Sequence, residues 1–406
     1  MNSVQERGRQ LATTCKIEKN RLGWKVPSQS GDGSYIVNLD HGQPFCTCPY
    51  FEQYHEKCKH IYAVQHVVQE QAKATSTPVA KAMRTTYGQD WAVYNAAQTN
   101  ERDWFNKLLR DLCMGVPQPP QTFGRPRLAM SDVVFAVVAK VYSTMSGRRF
   151  TCDLRNAEER EFIDKAPHYN SAFRYLESPD LTPILKQLIE ETANPLKAIE
   201  TDFAVDSSGF ATHVYDRWYD EKYGRIRSEN KWVKVHLMSG VKTHVVTSVE
   251  VSPTETADAP QFPGLVESTA HNFSVREVSA DKAYGSKRNL RAVEAVGGTA
   301  YIPFKSYSKG SQGHRDHDSL WDRMWHYYTF NRAAFMEHYH KRSNIETSFS
   351  MIKGKFGTFV RSKSPDAQVN EVLCKVLCHN ICVLIQSIYE LELEPVFWQE
   401  QTIHHN

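Results

Sequence analysis

What most constrains this chain is an order of local patterns that begins near residue 200. "TDFAVDSSGF" is a strand signal, "KWVKVHLMSG" a second and "HVVTSVEVS" a third, with a turn expected at Ser239-Gly240 between the last two. A helical segment near "ADAPQFPGLVESTAHN" leads to the strand "SVREVSA", the helix "SKRNLRAVEAVG" and the strand "TAYIPF". The polar loop "SYSKGSQGHRDHDS" follows, then a helical region from about 319 to 354, and a last helix in "DAQVNEVLCKVLCHNICVLIQSIYE". Three strands, helix, strand, helix, strand, helix is an order for one mixed sheet with helices on its faces.

That order is the one of the RNase H-like fold, and it gives meaning to two aspartates. Asp206 is expected at the end of the first strand and Asp281 at the end of the fourth. Asp is depleted from strand interiors, so each is either a cap or part of a site. Strands one and four are neighbours in this arrangement, and the late helix packs against them. That helix contains "YHKRSNIETSFSMIKGKF", with Tyr339, Arg342, Glu346 and Lys353 along one line beside an apolar stripe of Ile345, Phe349, Ile352 and Phe356. Glu346 would then meet both aspartates. Three carboxylates in one cleft repel unless a cation neutralises them, and Mg²⁺ suits an all-oxygen set. Two such ions can activate an attacking oxygen and stabilise a leaving one at phosphorus. Lys353 can meet a phosphate as a point charge, Arg342 can clamp a phosphate or orient Glu346, and Tyr339 can stack on nucleic acid.

Bulk properties are compatible with this. The chain has 406 residues, 41% hydrophobic and 23% charged, with a net charge of +3, enough for two or three domains and mildly basic. It contains no run of 18 consecutive apolar residues and no apolar leader at its start, so a cytoplasmic, nucleoid-associated location without a membrane is expected. Between Glu337 and Lys363 there are six Lys/Arg against two Asp/Glu, and Lys355 lies in this "KGKFGTFVRSK" track, which would be salt-sensitive and blind to sequence. Cys374, Cys378 and Cys382 recur at helical spacing and read as small core residues. Trp321 and Trp325 either pack in the core or reach DNA bases. The helical segments from 128 to 190, beginning beside "GRPR", either bind a duplex groove or brace the following domain.

Near the N-terminus, "GWKVPSQSGDGSYIVNL" reads as a hairpin, followed by "FCTCPYFEQYHEKCKHI". Cys46, Cys48, Cys58 and His60 form a C-x-C-x₉-C-x-H pattern, a closed tetrahedral set for structural Zn²⁺. A hairpin or loop must carry the first pair, and a helix start can carry the second. His55 breaks the paired spacing and is the poorer ligand. "QEQAKATSTPVAKAMRTTYG" has the composition of a linker or loosely held helix.

Two resemblances sharpen these readings. Asp206, Asp281 and Glu346 look like the DDE triad of bacterial insertion-sequence transposases. Tyr339, Arg342, Glu346 and Lys353 match the Y-(2)-R-(3)-E-(6)-K signature of that group, and "DSSG" and "ADKAY" are also similar. The resemblance spans roughly 125 to 385. It implies Mg²⁺ or Mn²⁺, double-stranded DNA with terminal inverted repeats, cleavage there, strand transfer into target DNA, and a homo-oligomer on the DNA. The short interval between Asp281 and Glu346 leaves no room for a large inserted domain. The cysteine-histidine stretch resembles a SWIM zinc finger at all four ligands, a unit associated with DNA or protein binding.

The resulting layout is a zinc-finger unit at 1–70, a linker and helix at 71–124, a helical region at 125–198, the RNase H-like α/β core at 199–360, and a C-terminal helix and tail at 361–406. A metal-dependent nuclease that does not join strands would share the carboxylates, and a catalytically silent DNA-binding relative would share the fold.

Overall fold

The computed structural model describes residues 3–20, 23–29, 33–39, 44–74, 90–121, 123–124, 127–212, 232–306, 308 and 319–398. Most of the expected linker, most of the polar loop before 319, Arg125-Pro126 of "GRPR" and the tail beyond 398 lie outside the described residues. The chain forms two compact units, Met1–Pro78 and Val79–Asn406.

The first unit starts with helix α1 (Ser3–Thr14) and a four-stranded antiparallel sheet, β1 (Glu18–Asn20), β2 (Gly23–Pro27), β3 (Ser34–Asn38) and β4 (Phe45–Cys46). Helices α2 (Pro49–Tyr54) and α3 (Lys59–Ala74) follow. The expected hairpin is β2–β3, with Val26 paired to Tyr35 and Trp24 to Val37. Its core is small: Leu11, Val26, Val37, Ile61 and Val64 are fully buried around Cys46, Cys48 and Cys58. Gly8 lets α1 lie against α3, because a Cβ there would sit 2.6 Å from that of Tyr62.

Among the described residues the second unit opens with six helices: α4 (Trp91–Thr99), α5 (Glu101–Cys113), α6 (Met130–Ser143), α7 (Gly147–Glu159), α8 (Tyr169–Leu176) and α9 (Leu181–Ala193). Then come β5 (Asp202–Ala211), β6 (Trp232–Gly240), β7 (Val246–Ser252), α10 (Phe262–Ala270), β8 (Glu277–Ala280), α11 (Lys287–Ala295) and β9 (Thr299–Tyr301). The sheet order is β7-β6-β5-β8-β9. Only β6 runs against the others, since β5–β6 and β6–β7 are antiparallel while β5–β8 and β8–β9 are parallel. This is the RNase H-like topology expected from the strand and helix order.

Three local expectations change. Ser239 and Gly240 belong to β6, not to the turn, which follows at 241–243. The buried Glu200 explains the shift: its carboxylate accepts from the backbone N–H of Lys242 at 3.0 Å and of Thr243, fixing the turn there. Gly240 is required beside it, because a Cβ would meet the Glu200 carboxyl at 2.3 Å. The helical region after 319 is not one rod. It divides into α12 (Ser319–Phe330), α13 (Arg332–Tyr339), a 3₁₀ turn at His340–Arg342 and α14 (Ser343–Phe356). Ser343 Oγ and the Asn344 side-chain amide donate to the carbonyls of His340 and Lys341, diverting them from regular helical bonding. The third change concerns Asp206, described below.

The last helix, α15 (Pro365–Leu391), is long and apolar enough to cross a membrane by length and average hydropathy, although no unbroken apolar run suggested it. In this fold 78% of its most apolar window is buried within the protein. It packs on α4, α6 and α9, with Cys374 and Cys378 fully buried and Cys382 half-buried. Buried Asn380 ties it to the sheet, accepting from Val246 N–H at 2.8 Å and donating to the Val246 carbonyl at 2.7 Å. One hydrophobic core runs from Ala97 to Leu391, so the N-terminal helices, the sheet and α15 fold against one another. In this unit the helical region braces the sheet.

A carboxylate cluster on the sheet and a thiolate cluster in the finger

The register of β5 against β8 decides where two of the carboxylates stand. Val205 pairs with Ala280 as the last parallel pair, so Asp206 and Asp281 occupy adjacent places in the next row. Asp281 follows the end of β8, as expected. Asp206 is in the middle of β5 instead of at its end, because β5 continues along β6 with Asp206 opposite Leu237. The strand ends there only with respect to β8. Asp281 caps the short turn Lys282–Tyr284, its carboxylate accepting from the Lys282 N–H.

Side chains alternate across a strand, so Asp206, Ser208 and Phe210 share one face. Helix α14 lies along that face. Arg342 donates to Asp206 at 2.6 Å and to Glu346 at 2.7 Å, so a single guanidinium spans both carboxylates. Lys353 donates to Ser208 Oγ at 2.7 Å and its ammonium lies 5.2 Å from the Phe210 ring centre. Tyr339 is half-buried beside Arg342, Asp281 and Asp206, and burial raises its hydroxyl pKa. The polar line on the helix is therefore matched to alternate residues of one strand.

Burial raises the Asp206 pKa, opposed by its hydrogen bond from Ser207 N–H and by Arg342, with Asp281 adding repulsion. Burial alone lowers the pKa of Lys353. Asp206, Asp281 and Glu346 offer only oxygen donors, which suits a hard divalent cation, and Arg342 already places positive charge between two of them. Lys355 differs from Lys353. Its ammonium is paired with Glu101 and lies 3.3 Å from Cys382 Sγ, directed into the helical region. A cavity of about 890 Å³ opens beside Asp281, with Lys282, Lys305, Trp325, Tyr328 and Arg332 on its wall. Trp325 also donates to the Ser308 carbonyl at 3.2 Å, while Trp321 packs edge-on against Phe304.

Sequence reasoning missed the support behind this face. Ser207, pointing the other way, donates to Asp258 at 2.9 Å, and Lys234 pairs with the same carboxylate at 2.6 Å. Buried His236 lies 3.5 Å from it. Lys341 bridges Asp202 of β5 and Glu277 of β8 at 2.8 and 2.6 Å, joining the turn before α14 to both aspartate-bearing strands. The signals available were the Ser207-Ser208 pair after Asp206 and a second cation directly before Arg342; neither has a distinctive spacing.

In the finger, Cys46 ends β4, Cys48 caps α2, and Cys58 and His60 flank the start of α3. All four are buried and their ligand atoms lie within 4.8 Å of one another. Cys46 and Cys58 sulfurs are each 3.8 Å from His60 Nδ1. A tetrahedron with metal–sulfur bonds of about 2.3 Å has edges of about 3.8 Å, so the set fits zinc. Hydrogen bonds from Cys46 and His60 hold the Cys58 thiol well below its usual pKa, favouring a thiolate. His55 lies outside the set as the left-handed C-cap of α2, with φ of 53°.

Two families match parts of the chain. Residues 197–381 match the family described as transposase DDE domain, and residues 35–67 match the SWIM zinc finger. Among solved structures, the chain is similar to a piggyBac transposase in a synaptic complex with hairpin DNA, at 11% identity over 71% of each chain. The TM-score of 0.32 is too low to establish a common fold. The chain thus carries a match to the transposase DDE domain at 197–381 and a match to the SWIM zinc finger at 35–67.

Proposed function

We infer that the protein cuts DNA at the terminal inverted repeats of a mobile element and transfers the freed strands into target DNA, acting as a homo-oligomer on the DNA. The observation that carries this reading is the convergence of Asp206 and Glu346 on one guanidinium, with Asp281 in the adjacent row of the sheet. In this reading Asp206, Asp281 and Glu346 hold Mg²⁺ or Mn²⁺, which supplies an activated oxygen nucleophile and stabilises the leaving oxygen at phosphorus. The chain's own residues orient the substrate. Arg342 positions Glu346 and, once its charge is no longer needed between carboxylates, is free to meet a phosphate. Lys353, with no acidic partner among the described residues and bonded to Ser208 two residues beyond Asp206 on the same face, is a second phosphate contact. Tyr339 stands where a base or sugar next to the reacting bond would pass. Lys355 contributes only where DNA displaces Glu101. The finger holds Zn²⁺ structurally, because protein fills all four ligand positions.

The test is incubation of purified protein and Mg²⁺ with the element's end DNA and a target plasmid, scoring cleaved and joined products separately. Both products are expected from wild type, and neither from Glu346→Gln, which should still bind DNA. Cleavage without joining would reduce the function to that of a nuclease. Full activity in Glu346→Gln would remove the carboxylate site from the chemistry altogether.

A further inference from the structure

A second concentration of positive charge lies at the other end of α14. Phe356, its last residue, lines a groove of about 410 Å³ together with Lys140, Arg361, Lys363 and Lys375. Two carboxylates share the groove, but one is committed elsewhere. Glu371 accepts from the backbone N–H of Arg361 at 2.9 Å and of Ser362 at 2.8 Å and lies 3.9 Å from the Lys375 ammonium, which leaves Glu177 against the remaining cations. Buried Lys375 is used internally, donating to the carbonyls of Phe359 and Gly357. The Arg361 guanidinium reaches the Thr144 carbonyl at 2.5 Å. Lys363 has no acidic partner among the described residues, and Lys140 feels the Glu371 carboxylate without a direct ion pair.

Helix α7 starts on the same rim and breaks two local rules. Its N-cap, Ser146, makes no side-chain bond to the helix, and its first turn holds Arg148 and Arg149 with no acidic residue. The positive end of a helix ordinarily takes a capping oxygen and an acidic side chain. Both arginines are exposed and without an ion-pair partner among the described residues. Such a conflict persists where another requirement outweighs it, and an external polyanion would answer every charge in the groove at once. Phosphodiester contacts of this kind carry position and not sequence.

We propose that this groove, lined by Lys140, Arg361 and Lys363, together with the exposed Arg148 and Arg149 in the first turn of the helix that starts on its rim, is a clamp for the phosphate backbone of duplex DNA. The proposal rests on the transposase reading and adds a contact remote from the carboxylates. Glu346 and Phe356 lie on the same helix about 15 Å apart along its axis. A strand running beside α14 would therefore place a phosphate in the clamp roughly four to five nucleotides from the reacting one.

The test uses the full-length, zinc-loaded protein and a labelled duplex of about 30 base pairs of arbitrary sequence, with affinity measured across salt concentrations. Arg148→Ala/Arg149→Ala should lower the slope of log affinity against log salt by roughly two, and Lys363→Ala by roughly one. The double variant should melt at or above the wild-type temperature, because it removes like charge from a helix N-terminus. A slope equal to wild type in both variants would overturn the clamp and leave the carboxylate site untouched. If the double variant melts lower, Lys363→Ala alone decides, since its residue is exposed in an irregular segment. Wild type that binds no duplex at any salt would overturn the transposase reading and the clamp with it.

Discussion

Arg342 carries the largest single burden at the residue scale. It is the counter-charge that lets Asp206 and Glu346 approach in the absence of metal, with both its own side chain and that of Asp206 about four-fifths buried. Arg342→Ala should destabilise the metal-free protein by roughly 1–3 kcal/mol, the range for hydrogen bonds to charged groups. The same variant should gain more in melting temperature from Mn²⁺ than wild type does, because the ion then meets uncompensated carboxylates. An equal gain in both would mean that the guanidinium and the metal do not share a site. Lys353 makes a separate forecast. Lys353→Ala should weaken binding to DNA ends, lower the salt slope by roughly one and leave residual cleavage. Lys353→Met keeps the packing against Phe210, so equal loss in both variants assigns the effect to charge.

Helix α15 shows why an element can be both apolar and dense in polar groups. Asn370, Asn380, Lys375 and His379 are all buried, and each meets a partner on another element. His379 donates to the His244 carbonyl at 2.9 Å, and burial pushes its pKa down to about 4, with His244 and Lys355 adding smaller repulsions. In the unfolded chain this histidine takes up a proton near pH 6.5 and in the native state it resists until about 4, so stability is lost as pH falls through that window. The loss from this group is on the order of 3 kcal/mol. His379→Gln retains a donor for the carbonyl and should flatten melting temperature against pH between 6.5 and 4. Curves that stay parallel would show that His379 does not set the acid sensitivity.

For the whole molecule, the finger and the larger unit draw stability from different sources. The first unit has a core of a few apolar side chains around three cysteines, too small to hold strongly without metal, whereas the second buries one core from Ala97 to Leu391. Cys58→Ser, or zinc removal, should therefore increase hydrogen exchange across β2, β3 and α3 while leaving β5, β6 and α15 protected. Elemental analysis should find one zinc per chain in protein purified without chelator. Exchange that rises equally in both units would mean that they unfold as one.

Much of this was legible in the chain because it depends on period and spacing. Alternation marked the strands, the helical period marked α14 and α15, and the order of elements led to the sheet topology. The meeting of Cys46, Cys48, Cys58 and His60 was readable because side chains able to hold one zinc ion commonly recur as closely spaced pairs. Other features were decided only in three dimensions. Register against β8 placed Asp206 mid-strand beside Asp281, and no local pattern reports register. Glu200 moved the turn beyond Gly240 by holding two N–H groups that follow it. Pairing told Lys353 from Lys355: two residues apart on one helix, they face Ser208 of the sheet and Glu101 of the helical region. Charge can be read from a sequence, but whether it is already neutralised depends on which distant element the side chain reaches.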